Sequence, residues 1–151
     1  MINSHRGGSE LLAWRHSGRD NLGAVPAAAE KTPRDVKQVV DAERAGTPFL
    51  VLRDGDGRQL VVVLTPIERP LTLGRDPSND VCLAWDPRVS ALHARFECSN
   101  GFWALHDDGF SRNGSFVNGE RVHGHRVLRD RDELRFGRTA VLFRDPSPRS
   151  G

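Results

Sequence analysis

From Phe49 onward the chain alternates short apolar runs with breaks rich in Gly, Asn, Asp and Pro. Runs this short leave little room for helices. Short strands at close spacing, separated by turn residues, build a β-sandwich or a barrel. Phe49-Leu50-Val51-Leu52 and Leu60-Val61-Val62-Val63-Leu64 flank Asp54-Gly55-Asp56-Gly57, which reads as a hairpin turn. The second run is apolar throughout and is expected to be buried. Leu71-Thr72-Leu73 ends at Gly74-Arg75, and Val81-Cys82-Leu83 follows a polar loop. Ala91 to Cys98 alternates, which places Leu92, Ala94, Phe96 and Cys98 on one face. Phe102 to His106 returns after the turn Ser99-Asn100-Gly101. Asn113-Gly114 and Asn118-Gly119 are two more turn signals, because both residue types tolerate positive φ. Arg121-Val122, Val127-Leu128, Glu133 to Phe136 and Ala140 to Phe143 complete the strand pattern.

Before this β region, Thr32 to Ala45 reads as a short helix. Thr32 is a good N-cap, Pro33 suits the first helical position, Asp35 completes a capping box, and Gly46 ends the element. Val36, Val39 and Val40 fall on one face and are expected to pack on a surface, since so short a helix is marginal alone. Residues 1–31 show no sustained period and are expected to be a disordered tail, with Leu11, Leu12 and Trp14 as a small apolar cluster. The expected division is a tail at 1–31, helix and linker at 32–46, a β domain at 47–145, and a polar tail at 146–151.

Charge and composition narrow the function classes. The 22 basic and 20 acidic residues give a net charge of +2. Such near balance argues against a cationic nucleic-acid surface. No apolar run approaches the roughly 18 residues of a membrane span, and no basic-then-apolar leader opens the chain, so a cytoplasmic protein is expected. Cys82 and Cys98 make no disulfide or metal framework and read as buried, reduced thiols. His106, His123 and His125 do not combine with them at metal-ligand spacing, and His123 and His125 read as solvated residues flanking Gly124 in a turn. Ser90, His93, Asp107 and Asp108 are triad residue types. However, Ser and His three apart on an extended segment point to opposite faces, and there is no nucleophile elbow. Neither enzyme activity nor a cofactor is expected.

Three strand-end loops carry the unusual polar residues. They are Gly74-Arg75, Arg88-Val89-Ser90-Ala91-Leu92-His93, and Ser111-Arg112-Asn113-Gly114. Loop tips held by a rigid sheet are where binding residues sit. A phosphate dianion needs a cation with several donors in fixed geometry, which arginine supplies, and a hydroxyl or amide beside it. In order and spacing the blocks Gly-Arg, Ser-x-x-His and Asn-Gly-Ser-x-Val-Asn-Gly resemble the forkhead-associated (FHA) domain, from about Pro48 to Arg144.

The resemblance implies an all-β, eleven-stranded sandwich that binds phosphothreonine peptides through loops at one end, a use of arginine clusters that FHA domains exemplify. It implies that Arg75 contacts the phosphate, that Ser90 donates its hydroxyl to it, and that Asn113 bonds the peptide backbone. His93 is implied to brace the loop beneath Ser90, while Gly74, Gly114, Asn118 and Gly119 provide geometry. Arg112 stands where the family often has Thr or Ser, adding charge and losing a hydroxyl. Ala91 stands where a longer contacting residue is common. Arg88 matches a position that selects the residue three after the phosphothreonine, and a cation there favours an acidic one. The expected partner is a phosphothreonine-containing protein, such as a Ser/Thr kinase or its substrate, with self-binding through Thr32, Thr47 or the N-terminal segment as a further expectation. The alternative function is a phosphate-independent scaffold subunit. No nucleic acid, membrane or metal partner is expected.

Overall fold

A computed structural model describes residues 31–66 and 69–146. The expectation of disorder over residues 1–30, including Leu11, Leu12 and Trp14, lies outside the described residues, as does most of the polar tail at 147–151. Among the described residues one helix, α1 (Pro33–Ala45), precedes eleven strands: β1 (Phe49–Arg53), β2 (Gln59–Val63), β3 (Leu71–Gly74), β4 (Val81–Cys82), β5 (Ala94–Ser99), β6 (Phe102–Asp107), β7 (Ser115–Val117), β8 (Glu120–Arg121), β9 (Gly124–Val127), β10 (Glu133–Phe136) and β11 (Thr139–Arg144). They form two sheets, ordered β2-β1-β11-β10-β7-β8 and β4-β3-β5-β6-β9. The β3–β4 pair is parallel. The expected all-β sandwich with one short leading helix is the fold found.

The core lies between the sheets. Leu50 and Leu52 of β1, Leu134 and Phe136 of β10, and Val141 and Phe143 of β11 face Leu73, Ala94, Phe96, Trp103 and Leu105 of the other sheet. Phe96 meets Phe136 edge-on at 6.3 Å between ring centroids. Two such apolar faces packed together supply the main stabilisation of a sandwich.

Several expectations are corrected by where the strands lie. β2 is apolar yet sits at a sheet edge, so its residues from Leu60 to Val63 are half-buried or exposed and only the following Leu64 is fully buried. Leu92 does not share a face with Ala94 and Phe96: β5 begins at Ala94, and Leu92 projects from the loop before it. Cys82 and Cys98 are free thiols as expected but only half-buried, because Cys82 lies on the edge strand β4 and Cys98 near the end of β5. His125 belongs to β9 rather than to a turn, and its ring stacks on its cross-strand partner His106 at 5.3 Å. Asn118 and Gly119 do form a tight β7–β8 turn, with φ of 50° and 86°, while at Asn113-Gly114 only Gly114 has positive φ, 87°.

The capping box of α1 is present. The Asp35 amide donates to Thr32 Oγ1, and the Thr32 amide donates to Asp35 Oδ2, each at 3.1 Å. The valines are not the anchoring face, and Val36 is half exposed. Asp35 and Ala42 turn inward instead. The reason is that the helix docks largely by polar contacts on the outer face of the first sheet. Arg53 lies 3.4 Å from Asp35, Gln59 Nε2 donates to the Asp35 carbonyl at 2.8 Å, and Arg144 pairs with Glu43 at 2.7 Å. Phe49, fully buried, is on this outer face with the Arg144 guanidinium 5.8 Å from its ring centroid. β1 is thus covered on both sides.

Candidate functional site

The first loop leaves β3 at Gly74, which packs against the second loop with no room for a side chain. A Cβ there would stand 2.1 Å from the Ala91 carbonyl oxygen. This closeness lets the Arg75 and Asp76 amides donate to the carbonyls of Ser90 and Ala91 at 2.9 and 3.2 Å. Arg75 Nε donates to the Val89 carbonyl at 2.9 Å, which fixes the stem of the guanidinium and leaves its outer nitrogens directed by the loop. Neither Asp76 nor Asp80 pairs with Arg75. Asp80 takes Arg69 at 2.7 and 2.8 Å, and the Arg69 hydrogen bonds hold its carboxyl down at about 2.

The second loop is pinned from below by Asp86, a buried carboxylate. It accepts from the Arg88 amide at 3.0 Å, the Arg138 amide at 2.8 Å and the Thr139 hydroxyl at 2.7 Å, tying the loop to the β10–β11 turn. At its end, the Ser90 amide donates to His93 Nδ1 at 3.0 Å. That bond requires the tautomer with hydrogen on Nε2, so Nε2 donates to the Gly114 carbonyl at 2.9 Å. His93 is fully buried, edge-on to Phe136. The segment from Ser90 to His93 is a loop rather than extended chain, so His93 does reach Ser90, through the amide and not the hydroxyl. With both ring nitrogens engaged, His93 is not placed to take a proton from that hydroxyl.

The third loop is built around Asp107. Its carboxylate accepts from Ser111 Oγ at 2.5 Å, Ser115 Oγ at 2.7 Å and the Gly109 amide at 3.1 Å. Burial alone would raise this carboxyl, but these hydrogen bonds outweigh it and hold it below the ordinary carboxylate value. Ser111 Oγ in turn accepts from the Gly114 amide at 3.0 Å. The Arg112 amide donates to Ser90 Oγ at 2.9 Å, and Asn113 Nδ2 donates to the Arg88 carbonyl at 2.8 Å. A continuous chain of hydrogen bonds therefore runs from Asp107 through Ser111, Gly114 and His93 to Ser90, and closes on the third loop at Arg112.

All five residues expected to bind meet here. Arg75 is tied to Val89, Ser90 to Arg112, and Asn113 to Arg88. The side chains of Arg75, Arg88, Arg112 and Asn113 reach the surface, and Ser90 is half-buried beneath them. Asn118 and Gly119 are at the far end of β7, where Asn118 holds Asp132 and the Glu133 amide, each at 2.9 Å. Sequence reasoning missed Asp86, Asp107 and Ser111 as supports. Asp86-Pro87 and Asp107-x-Gly109 are local turn signals that point to the two carboxylates. Chemically, the cluster offers exposed guanidinium groups, a hydroxyl and a side-chain amide on loops whose backbones are locked together. Among the described residues no cluster of three or more His, Cys, Asp or Glu side chains could hold a metal ion. No described helix is long and apolar enough to cross a membrane.

Comparison with known proteins agrees with this geometry. The FHA domain family model matches residues 71–137. The structure is similar to the FHA domain of the CT664 protein of Chlamydia trachomatis, with a TM-score of 0.59 and 25% identity, covering 66% of this chain and 97% of that one. It is similar to an FHA domain studied for phosphothreonine-dependent interactions, with a TM-score of 0.55 and 28% identity over 65% of this chain and 95% of that one. A third similar structure is the FhaA FHA domain in complex with the intracellular domain of Rv3910, with a TM-score of 0.54 and 28% identity over 65% of this chain and all of that one. No curated protein matches the sequence. The β-sandwich of this chain thus matches the forkhead-associated domain model over residues 71–137 and has the fold of the FHA domains it is similar to.

Proposed function

We propose that this chain is a phosphothreonine-peptide binding module that acts as a cytoplasmic adaptor or regulatory component in Ser/Thr kinase signalling. One observation carries the reading: three loops from three strand ends are hydrogen-bonded into one unit that presents Arg75, Ser90, Arg112 and Asn113 together. Arg75 supplies the charged fork for the phosphate, and Ser90, whose oxygen already accepts from the Arg112 amide, keeps its proton to donate. Arg112 adds positive charge, Asn113 bonds the peptide backbone, and Arg88 faces an acidic residue further along the peptide. His93, Gly74 and Gly114 hold the loops. A similar FHA domain, studied for its phosphothreonine-dependent interactions, supports the same reading.

Each charge-assisted hydrogen bond contributes roughly 1.5–3 kcal/mol. Two or three of them, less the ordering of a flexible peptide, give about micromolar affinity. Titration with a degenerate phosphothreonine peptide library, with phosphoserine and unphosphorylated libraries as controls, tests the proposal. Arg75→Ala is expected to lose at least about tenfold, because a direct phosphate contact contributes more than ~1.4 kcal/mol. Binding should also weaken as the phosphate gains its second proton near pH ~6. Wild-type affinity in Arg75→Ala, or equal binding of unphosphorylated peptide, would sink the assignment and favour a phosphate-independent scaffold. Self-binding through Thr32 faces a structural competitor, since its hydroxyl already caps α1.

A further inference from the structure

Beside the phosphate loops, the outer face of the first sheet carries a row of side chains across three strands. Phe116 of β7 pairs directly with Arg121 of β8 on one side and Arg135 of β10 on the other. Directly paired residues share a face, so the row reads Arg121–Phe116–Arg135. Both arginines are exposed, Phe116 is half-buried, and neither guanidinium lies within ion-pairing distance of a carboxylate among the described residues. By contrast, Arg53, Arg69, Arg95, Arg126 and Arg144 each have an acidic partner. The row is continuous with the loops: the Arg121 guanidinium rests against Gly114, where a Cβ would meet its Nε at 2.8 Å.

We propose that this row binds an acidic stretch of the same partner whose phosphothreonine occupies the loops. The proposal rests on the phosphopeptide reading above and extends it to a second subsite. Two unpaired cations flanking an aromatic ring repel each other mildly and are relieved when an anion bridges them. Three neighbouring strands span about 10 Å, which an extended peptide crosses in about three residues. Acidic side chains on that stretch would pair with the guanidinium groups while its stems lie on Phe116. Contiguity with Gly114 means that one partner can reach both subsites without a long linker.

The test uses the full chain and calorimetric titration at low salt. The probes are a phosphothreonine peptide with neutral flanks and the same peptide carrying four glutamates on its amino or its carboxyl side. One of the extensions should tighten binding about three- to tenfold, the range for two exposed ion pairs, and the gain should shrink at high salt. The double variant Arg121→Gln, Arg135→Gln should lose that gain. Both side chains are exposed, so the fold should tolerate the exchange. No gain from either extension, or a gain retained in the double variant, would overturn the proposal. Should the neutral phosphopeptide itself fail to bind, the phosphothreonine reading falls separately. A glutamate-rich peptide without phosphate then decides the subsite: amide shifts at Phe116, Arg121 and Arg135 support it, and their absence overturns it. Tighter capture of a single-stranded oligonucleotide than of the glutamate peptide would overturn the acidic-peptide assignment.

Discussion

Replacing His93 with phenylalanine isolates the contribution of the two hydrogen bonds that join the second and third loops. The new ring is somewhat larger than imidazole but can keep the edge-on contact with Phe136, 5.8 Å between centroids at 88° in the native protein. What is lost is the acceptor for the Ser90 amide and the donor to the Gly114 carbonyl. Each buried backbone group left unpaired costs about 1–3 kcal/mol. Gly114 is buried and carries a full penalty, whereas Ser90 is half-buried and water recovers part of its bond. The expected loss is therefore about 2–4 kcal/mol, a large share of the roughly 5–15 kcal/mol that holds a domain together. Urea unfolding should show a midpoint lower by about 1–2 M at unchanged slope. Amide exchange at Ser90 should accelerate, and phosphopeptide affinity should fall because Ser90 and Arg112 lose their fixed spacing. A stability loss under ~0.5 kcal/mol would refute the claim that this histidine ties the loops, since it would mean that both groups find other partners at no cost.

Other perturbations follow from the same structure. Gly74→Ala forces a methyl to within 2.1 Å of the Ala91 carbonyl oxygen, so the loops must separate. Thermal or urea unfolding should register a loss of at least about 2 kcal/mol, whereas a near-neutral result would mean the loops yield freely. Asp80, Asp107 and Asp130 all have folded pKa values below their ordinary ones, Asp80 at about 2. Their stabilising contribution is complete above the unfolded carboxyl value of about 4 and is lost as pH falls through the folded values. Urea midpoints should thus decline below pH ~4, less steeply in Asp107→Asn, and a midpoint that rises on acidification would contradict the sign. Arg144→Met removes the shared partner of Glu43 and Asp130 and should destabilise by about 3 kcal/mol, read as a lowered unfolding midpoint; an unshifted midpoint would show that α1 is held by something else.

The sequence disclosed most where a residue type admits one backbone state or one neighbour. Asn118-Gly119 allowed little but a tight turn, Thr32 and Asp35 spelled a capping box, and Gly74 marked a close approach. The residues proposed to bind stood out because their spacing resembles a family pattern, and the structure places them on three neighbouring loops. What stayed hidden depends on neighbours distant in the chain. The apolar run of β2 looked like a central strand, but edge or centre is decided by sheet order, which periodicity does not encode. Leu92 kept the alternation of β5 while lying outside it, because His93 is drawn into the core to serve Ser90 and Gly114. The valines of α1 matched a helical face, yet the surface offered to the helix carries Arg53, Gln59 and Arg144, so acidic groups anchor it. Asn113 sat before Gly114 like a turn residue, but its side chain is committed to the Arg88 carbonyl across 25 residues of sequence.

The docking of α1 also bears on the edges of the two sheets. β8 and β4, at two sheet edges, are two residues long, and β9, at a third, carries His125 and Arg126, so none offers a long apolar template to another chain. β2 is the exception, a five-residue edge with Val61 and Val63 on the same face as Phe49. Unshielded apolar edges invite pairing between molecules. A version cut at Thr47 would keep every described strand and every residue of the three loops, yet it would remove the helix that packs against that edge strand. Its failure in solution would be self-association through β2 rather than loss of the sandwich.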